Sequence, residues 1–272
     1  MGKLYLNLEP FWRVTTQMIR GIDTLSRSFN VLSEKQKNLA SNAANVTTPG
    51  YRAQKLVTSA MEEVDVHNYT NGPELNLRRE TGQIVFGNQL DEAYLNLESG
   101  AIQGTNSQTD VALSGDGFFT VQSPAGETFY TRNGNFSVND QNELVTQEGY
   151  NVLGILPGGG TAPITVDSTN FTIDQNGFVQ SGQGAQQFLY ITSFENQADL
   201  THVGDTLYQG ENGTPVGTGF STRQGYVEQS NVDMVDVMSD MMQISREFEA
   251  NQKMLRTTDE TLRRATQEIG RV

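Results

Sequence analysis

SNVDMVDVMSDMMQISREFEANQKMLRTTDETLRRATQEI, residues 230–269, contains no Gly or Pro and repeats an apolar side chain every seven positions. Met234, Met241, Phe248, Leu255, Leu262 and Ile269 form one line, with Val237, Ile244 and Ala265 beside it. A mean apolar spacing of about 3.5 residues marks a helix that packs lengthwise on another helix. The matching line lies at the other end of the chain. Met18, Leu25, Leu32, Leu39 and Val46 fall seven apart, with Ile22, Phe29 and Ala43 on the neighbouring line. Polar residues interrupt both seams: Gln36 in the first, Asn251 and Thr258 in the second. Polar seam positions fix register and partner choice. Two such helices at opposite ends predict that the termini meet and the middle is looped out, a layout that suits an assembly subunit better than an enzyme.

The first helix is expected over about 18–45, where Thr47, Thr48, Pro49 and Gly50 stop it, because Pro lacks an N–H and disfavours helical geometry in the residue before it. The last helix is expected to start near Ser230, in the capping-box-like string Ser230-Asn231-Val232-Asp233. Between them the composition changes. Of the 27 glycines, 23 lie between Gly72 and Gly225. Short β-rich runs alternate there with turn signals such as Ser123-Pro124-Ala125-Gly126 and Asn133-Gly134, the latter a strong hairpin signal. The reading is α+β: long N- and C-terminal helices pairing as a coiled coil around an all-β antiparallel meander. Residues 1–17 read as an N-terminal extension, with a native segment as the alternative. Residues 18–57 and 226–272 form the coiled-coil part, and residues 58–225 the β-rich domain. Thr58–Leu77 is read as an irregular transition, and 157–160 and 210–219 as loops.

Formal charge is −14 but unevenly spread. Residues 1–58 carry eight Lys/Arg against three Asp/Glu. Residues 59–226 carry only Arg78, Arg79, Arg132 and Arg223 against 20 acids, a segment that would repel phosphate. Nucleic acid is therefore excluded as a partner. No apolar run is long enough for a membrane span, so no membrane insertion is expected. Cysteine is absent, which by itself decides little. The two histidines, His67 and His202, sit in unrelated contexts, and no P-loop, dinucleotide or nucleophile-elbow string occurs. Asp174-Gln175-Asn176-Gly177 faintly suggests a calcium loop but lacks downstream ligands and reads better as a hairpin turn. The expectation is no enzyme, no metal, no cofactor and no small-molecule substrate.

Three strings carry a family resemblance. The helix-ending Asn42-Ala43-Ala44-Asn45-Val46-Thr47-Thr48-Pro49-Gly50-Tyr51 is similar to the N-x-A-N-x-x-T-P-G-Y/F signature of bacterial flagellar rod and hook proteins. Asp110-Val111-Ala112-Leu113-Ser114-Gly115-Asp116-Gly117-Phe118-Phe119, followed by the run from Tyr130 to Phe136, resembles that family's D-x-A-x-x-G-x-G-F-F and Y-T-R-x-G-x-F strings. The run from Gly225 through Ser230, Asn231, Val232 and Asp233, then Arg246-Glu247-Phe248-Glu249-Ala250-Asn251, resembles G-x-x-E-x-S-N-V-D and R-x-F/Y-E-A-N. In residue chemistry these strings read as structural. Pro49-Gly50 turns the chain out of the helix, Gly115 and Gly117 free the backbone ahead of a strand in which Phe118 and Val121 face the core, and Ser230 starts the closing helix.

The resemblance implies an axial subunit of the flagellar basal-body rod. Such a subunit is exported by the flagellar type III apparatus and assembles with itself and other rod and hook proteins into a hollow tube that transmits torque. Its terminal helices would form the inner layer. A hook-type axial protein of the same family is the alternative, although 272 residues leaves no room for a large central region. A secreted β-domain adhesin is the alternative from another class, and the three strings argue against it. A carbohydrate-active enzyme would need a concave acidic site, for which pairs such as Glu62/Glu63 are empty signals in a chain with 32 acids.

Overall fold

The computed structural model describes residues 9–70, 77–166, 171–182, 186–194, 200–204, 206–217 and 219–269; the side chains of residues 9–20, 66–70, 77–81, 268 and 269 lie outside that description. The fold is α+β, with two helices, α1 (Glu9–Ala44) and α2 (Met234–Ile269), and a β-rich middle. The chain divides into two compact units. One comprises Met1–Ala40, Leu56–Ala93 and Met238–Val272, and the other Ser41–Lys55 and Tyr94–Val237. The β-rich segment expected over residues 58–225 is thus shared between them.

In the first unit, most of α1 and α2 is accompanied by four strands: β1 (Gln54–Ala60), β2 (Glu63–Thr70), β3 (Leu77–Val85) and β4 (Asn88–Leu95). β1 pairs with β4, and β2 pairs antiparallel with β3 in a ladder that shifts register between Val66 and His67. The irregular transition expected at 58–77 is therefore incorrect. Alternating β-branched residues, Val64 and Val66 facing Ile84 and Gly82, build a ladder that polar neighbours conceal in the sequence. α1 begins at Glu9, earlier than expected, so the segment read as an extension is partly helical; residues 1–8 lie outside the described residues.

The second unit is built on one large sheet. Its central strand, Phe118–Gln122, pairs antiparallel with Thr128–Thr131, Asn151–Ile155 and Ile191–Ser193. Val111, Leu113, Phe119, Val121, Phe136, Leu144, Val152, Ile164 and Ile191 form the core, each almost fully buried. A smaller cluster of Leu95, Phe118, Phe194, Leu200 and Tyr208 packs beside it. Several hairpins follow the sequence: the turn at 123–126, the pairing of Phe136–Val138 with Leu144–Thr146, and the turn Asp174–Gly177 joining Phe171–Ile173 to Phe178–Ser181. Gly177 sits at φ 75° and donates to Asp174 O at 2.9 Å, so that string is a tight turn.

The meander itself fails at Asn133-Gly134. Thr128–Thr131 pairs with Leu207–Gly210, across a long stretch of chain, and not with Phe136–Val138. Val111–Gly115 likewise pairs with Phe220–Gln224. Neither Asn133 nor Gly134 has positive φ. A Cβ at Gly134 would lie 1.8 Å from Val111 O, so the glycine is there for backbone approach and not for a hairpin. Within the loop expected at 210–219, Thr214–Pro215 also pairs with Ile191–Ser193.

Candidate assembly site

The sequence residues fall into two groups, one on the helices and one around the chain's exits from them. On α2, Met234, Val237, Met241, Ile244, Phe248, Asn251, Leu255, Thr258, Leu262 and Ala265 are the buried or half-buried positions, and the residues between them are exposed. Val237 and Ile244 are 6% and 7% exposed. The alternating spacing of three and four residues is what one covered helix face requires. On α1, Leu32 is buried, Ile22, Leu25, Phe29 and Leu39 are half-buried, and Gln36 is exposed, whereas Val46, expected on the same seam, is half-buried in the turn past the helix end at Ala44. Met18 and Ile269 lie within the helices, with side chains outside the described residues. In the first unit the helices touch through described residues. The rings of Phe29 and Phe248 sit 5.6 Å apart, and Asn251 Nδ2 donates to Ser28 Oγ at 2.9 Å. The seam asparagine therefore makes a specific polar contact instead of merely interrupting the apolar line. Outside the seam, α2 leaves Val235, Met238, Met242 and Met254 exposed, each by more than half. Glu249 is exposed as well.

The second group lies in the second unit, and it is a buried polar knot. After α1 ends, Tyr51 N–H donates to Thr48 O at 3.3 Å around Pro49-Gly50, and Gly50 takes φ 71°. This is the turn expected for Pro then Gly. A Cβ on Gly50 would lie 2.3 Å from the Arg132 carbonyl carbon. Asn45 Oδ1 accepts from the Thr48 hydroxyl at 3.0 Å. Buried Asn42 accepts from Tyr51 OH at 3.0 Å and from Gln54 N–H at 3.1 Å, and donates to Gln54 O at 2.9 Å. Asn231 works in the same way from the other end of the chain. It accepts from Ala53 N–H at 2.7 Å and donates to Asn96 O at 2.8 Å and Glu98 O at 2.9 Å.

These bonds hold residues 230–233 outside the helix, which starts at Met234 and so corrects the expected helix start at Ser230. Among the described residues, Ser230 Oγ accepts from Val232 N–H alone, at 3.3 Å. The N-cap is Asp233, whose carboxylate accepts from Val235 N–H at 2.8 Å while its carbonyl accepts from Val237 N–H at 3.0 Å. Gly115 and Gly117 have φ 99° and 133°, and a Cβ on Gly117 would lie 2.6 Å from Ile191. Phe118 and Phe119 are buried beyond them, as Asp110 is before them.

Three charged residues that the sequence reading assigned no role form the centre of the knot. Glu228 and Arg52 are each 1% exposed and Arg132 is 4% exposed. Glu228 Oε1 lies 2.7 Å from Arg52 Nη2, out of hydrogen-bond alignment, and accepts from Gly100 N–H at 2.9 Å. Its Oε2 lies 3.4 Å from Arg132 Nη1. Arg132 also donates to Leu113 O at 3.0 Å and to Gly115 O, and Arg52 donates to Glu98 O. Burial pushes the Arg132 pKa down to about 10, with the Glu228 carboxylate opposing it. The signal that could have found Arg132 is its rarity, since it is one of four basic residues across a long acidic segment.

Buried glycines, capping asparagines and a caged ion cluster hold chain segments in place, and the work they do is structural. Residues 112–181 match the flagellar hook protein FlgE/F/G D1 domain, and residues 223–268 the flagellar basal body rod FlgEFG protein C-terminal domain. The chain is 31% identical over 248 residues to the flagellar basal-body rod protein FlgG of Caulobacter vibrioides, covering 84% of this chain and 91% of that one. It is 30% identical over 268 residues to FlgG of Borreliella burgdorferi (90% and 97% covered). It is 28% identical over 277 residues to the flagellar hook-basal body complex protein FlhO of Bacillus subtilis (94% and 100%).

The chain belongs to the flagellar basal-body rod protein family. It is a structural rod subunit of the flagellar basal body and not an enzyme. Family membership implies assembly with other rod and hook components. Among the described residues no helix is long and apolar enough to cross a membrane.

Proposed function

We propose that α1 and α2 pair lengthwise as a coiled coil and that copies of the chain pack through these helices into a hollow, torque-transmitting tube after export through the type III apparatus. The observation that carries this reading is the division of α2 into two apolar sets. One, from Val237 to Leu262 at seam spacing, is buried or half-buried; the other, Val235, Met238, Met242 and Met254, is exposed. Exposed Met side chains suit a surface that must adapt to several neighbours. A contact that does not close into a ring propagates as a helix, so one subunit type can build a tube. On this reading residues 18–57 and 226–272 form the assembly part, and the polar knot fixes where both chain ends leave the β-rich core.

The pairing is tested with Ser28→Cys and Asn251→Cys in one otherwise cysteine-free chain. Mild oxidation is expected to link the two ends within one chain and to leave each single variant unlinked. Failure to form the intrachain link at any oxidant level would refute the lengthwise pairing.

A further inference from the structure

The chain carries four Asn-Gly pairs, at residues 71–72, 133–134, 176–177 and 212–213. In such a pair the glycine amide nitrogen can attack the asparagine side-chain carbonyl, because Gly adds no side chain to hinder the approach and leaves the backbone free to turn. Folding decides which pairs can react: the attacking N–H must be able to lose its proton, and the asparagine must be able to turn. The first pair lies outside the described residues. At the second, both residues are buried, and Asn133 Oδ1 accepts from Asn135 N–H at 3.0 Å. At the third, Asn176 is exposed, but the buried Gly177 N–H is shared between Asp174 O at 2.9 Å and Thr222 Oγ1 at 3.2 Å.

The fourth pair differs at both atoms. Asn212 is exposed, at φ 64°. Just beyond it, Thr214–Pro215 lies on the sheet edge against Ile191–Ser193. Ser193 faces Thr214, and Val216 N–H donates to Ile191 O at 2.9 Å, so the rungs 193/214 and 191/216 carry the hydrogen bonds. Gly213 falls one residue off that set, which turns its N–H away from the ladder.

We propose that Asn212-Gly213 is a self-modification site, at which the Gly213 amide nitrogen attacks Asn212 Cγ. Hydroxide takes the Gly213 proton as the N–Cγ bond forms, and the carboxamide C–N bond breaks to release ammonia and close a cyclic imide. Water then opens the imide. Breaking the new N–Cγ bond gives aspartate, and breaking the original main-chain bond gives isoaspartate. Water is consumed, ammonia is released, and either product adds a negative charge. Isoaspartate also lengthens the main chain by one carbon immediately before Gly213, where there is no slack: a Cβ there would lie 2.5 Å from Thr192 Cγ2 and 2.9 Å from Phe194 Cζ. Isoaspartate therefore detaches Thr214–Pro215 from the sheet edge. The reaction needs the folded monomer alone and does not rest on the assembly reading.

The test holds the whole chain in mildly alkaline buffer, folded or unfolded in guanidinium, and follows each Asn-Gly peptide by mass spectrometry with isoaspartate labelling. In the folded chain Asn212 should convert at least about tenfold faster than Asn133 and Asn176, and in guanidinium the three should agree within about threefold. Equal folded rates at Asn212 and Asn176, an Asn212 as inert as Asn133, or a rate order unchanged by guanidinium overturns the proposal. Aged folded chain should also be cut by protease within residues 210–217 sooner than fresh chain. Asn212→Gln, whose longer side chain disfavours the ring closure, should keep the fresh pattern after the same ageing. A fresh pattern in wild-type chain that has formed isoaspartate at 212 would overturn the detachment.

Discussion

Glu228 holds Arg52 at 2.7 Å in a site where each side chain is only 1% exposed, joining the segment that follows the first helix to the segment that precedes the second. The pair is not simply an added attraction. Removing two charges from water costs about as much as their mutual attraction returns, so such a pair is a strong constraint on geometry and a weak source of net stability. Its arrangement explains why it works here. Gly50 N–H binds Glu228 O at 2.7 Å, and Gly100 N–H binds the carboxylate at 2.9 Å, so backbone and side chain of one residue fix two segments that are far apart in the sequence.

Glu228→Gln should therefore destabilise the chain far more than loss of one contact suggests, because it leaves two guanidinium groups buried side by side. The expected cost is about 3–5 kcal/mol. Urea unfolding of the whole chain measures it. Combining Glu228→Gln with Arg52→Met, which removes one of the stranded charges, should cost clearly less than the two changes summed. Strict additivity would show that the residues do not act as a unit.

Gly50 tests the turn. Its φ of 71° and the 2.3 Å approach to the Arg132 backbone leave no place for a methyl group. Gly50→Ala should cost more than about 2 kcal/mol. Gly158→Ala, with open space around it and no positive φ, should change stability by less than about 0.5 kcal/mol. Equal midpoints for the two variants would mean that the loop before Tyr51 can relax.

The sequence made the helices and the apolar core strands legible because their signals are local: heptad spacing in Met234–Ile269, and runs such as Phe118–Gln122. Non-local pairing was not legible. Asn133-Gly134 carries the local signature of a hairpin, yet Thr131 pairs with Leu207, and a glycine needed for backbone approach looks the same in sequence as one needed for positive φ. The helix cap moved from Ser230 to Asp233 for the same reason. Asn231 is committed to partners at Ala53, Asn96 and Glu98, which no window around Ser230 reveals. The Arg52–Glu228–Arg132 cluster was hidden because its members lie far apart in the chain, while exposed charges vastly outnumber buried ones in any sequence.

That relocated cap is itself testable. Asp233→Ala should cost about 1 kcal/mol through loss of the N-cap bond to Val235 N–H. Ser230→Ala should cost less, since its hydroxyl accepts the weaker bond, at 3.3 Å. The reverse ranking in thermal unfolding would return the cap to Ser230.

Tyr208 sets the alkaline limit. Burial raises its phenol pKa well above the ordinary 10.0, so the folded protein keeps the group neutral where the unfolded chain ionises it. A group with a raised folded pKa contributes its stability fully below the unfolded value and loses it as pH rises beyond. The Tyr208 contribution should be lost above about pH 10, opposed there by Arg132, whose lowered pKa adds stability as pH rises, so Tyr208→Phe should shift the profile upward in that range while changing little at pH 7. Tyr130, raised in the same direction by burial, leaves a smaller residual slope. An identical pH profile for the Phe variant would show that Tyr208 ionises freely in the folded state.

The last prediction concerns Leu255, half-buried on the α2 seam between Phe248 and Leu262. If that seam packs lengthwise in the assembled tube, Leu255→Asp places a carboxylate in a half-buried apolar line. The penalty runs to several kcal/mol, and a helical array repeats it in every subunit. The β-rich core, with Phe119, Val121 and Leu144 fully buried elsewhere, should still fold. Asp140→Ala, at an exposed turn, is the matched control and should be nearly silent. Both variants are expressed in a strain lacking the native gene, with secreted levels measured and basal bodies imaged. Motile cells and complete rods are expected for the Asp140 variant alone; complete rods with Leu255→Asp at normal secretion would show that this seam does not hold the tube together.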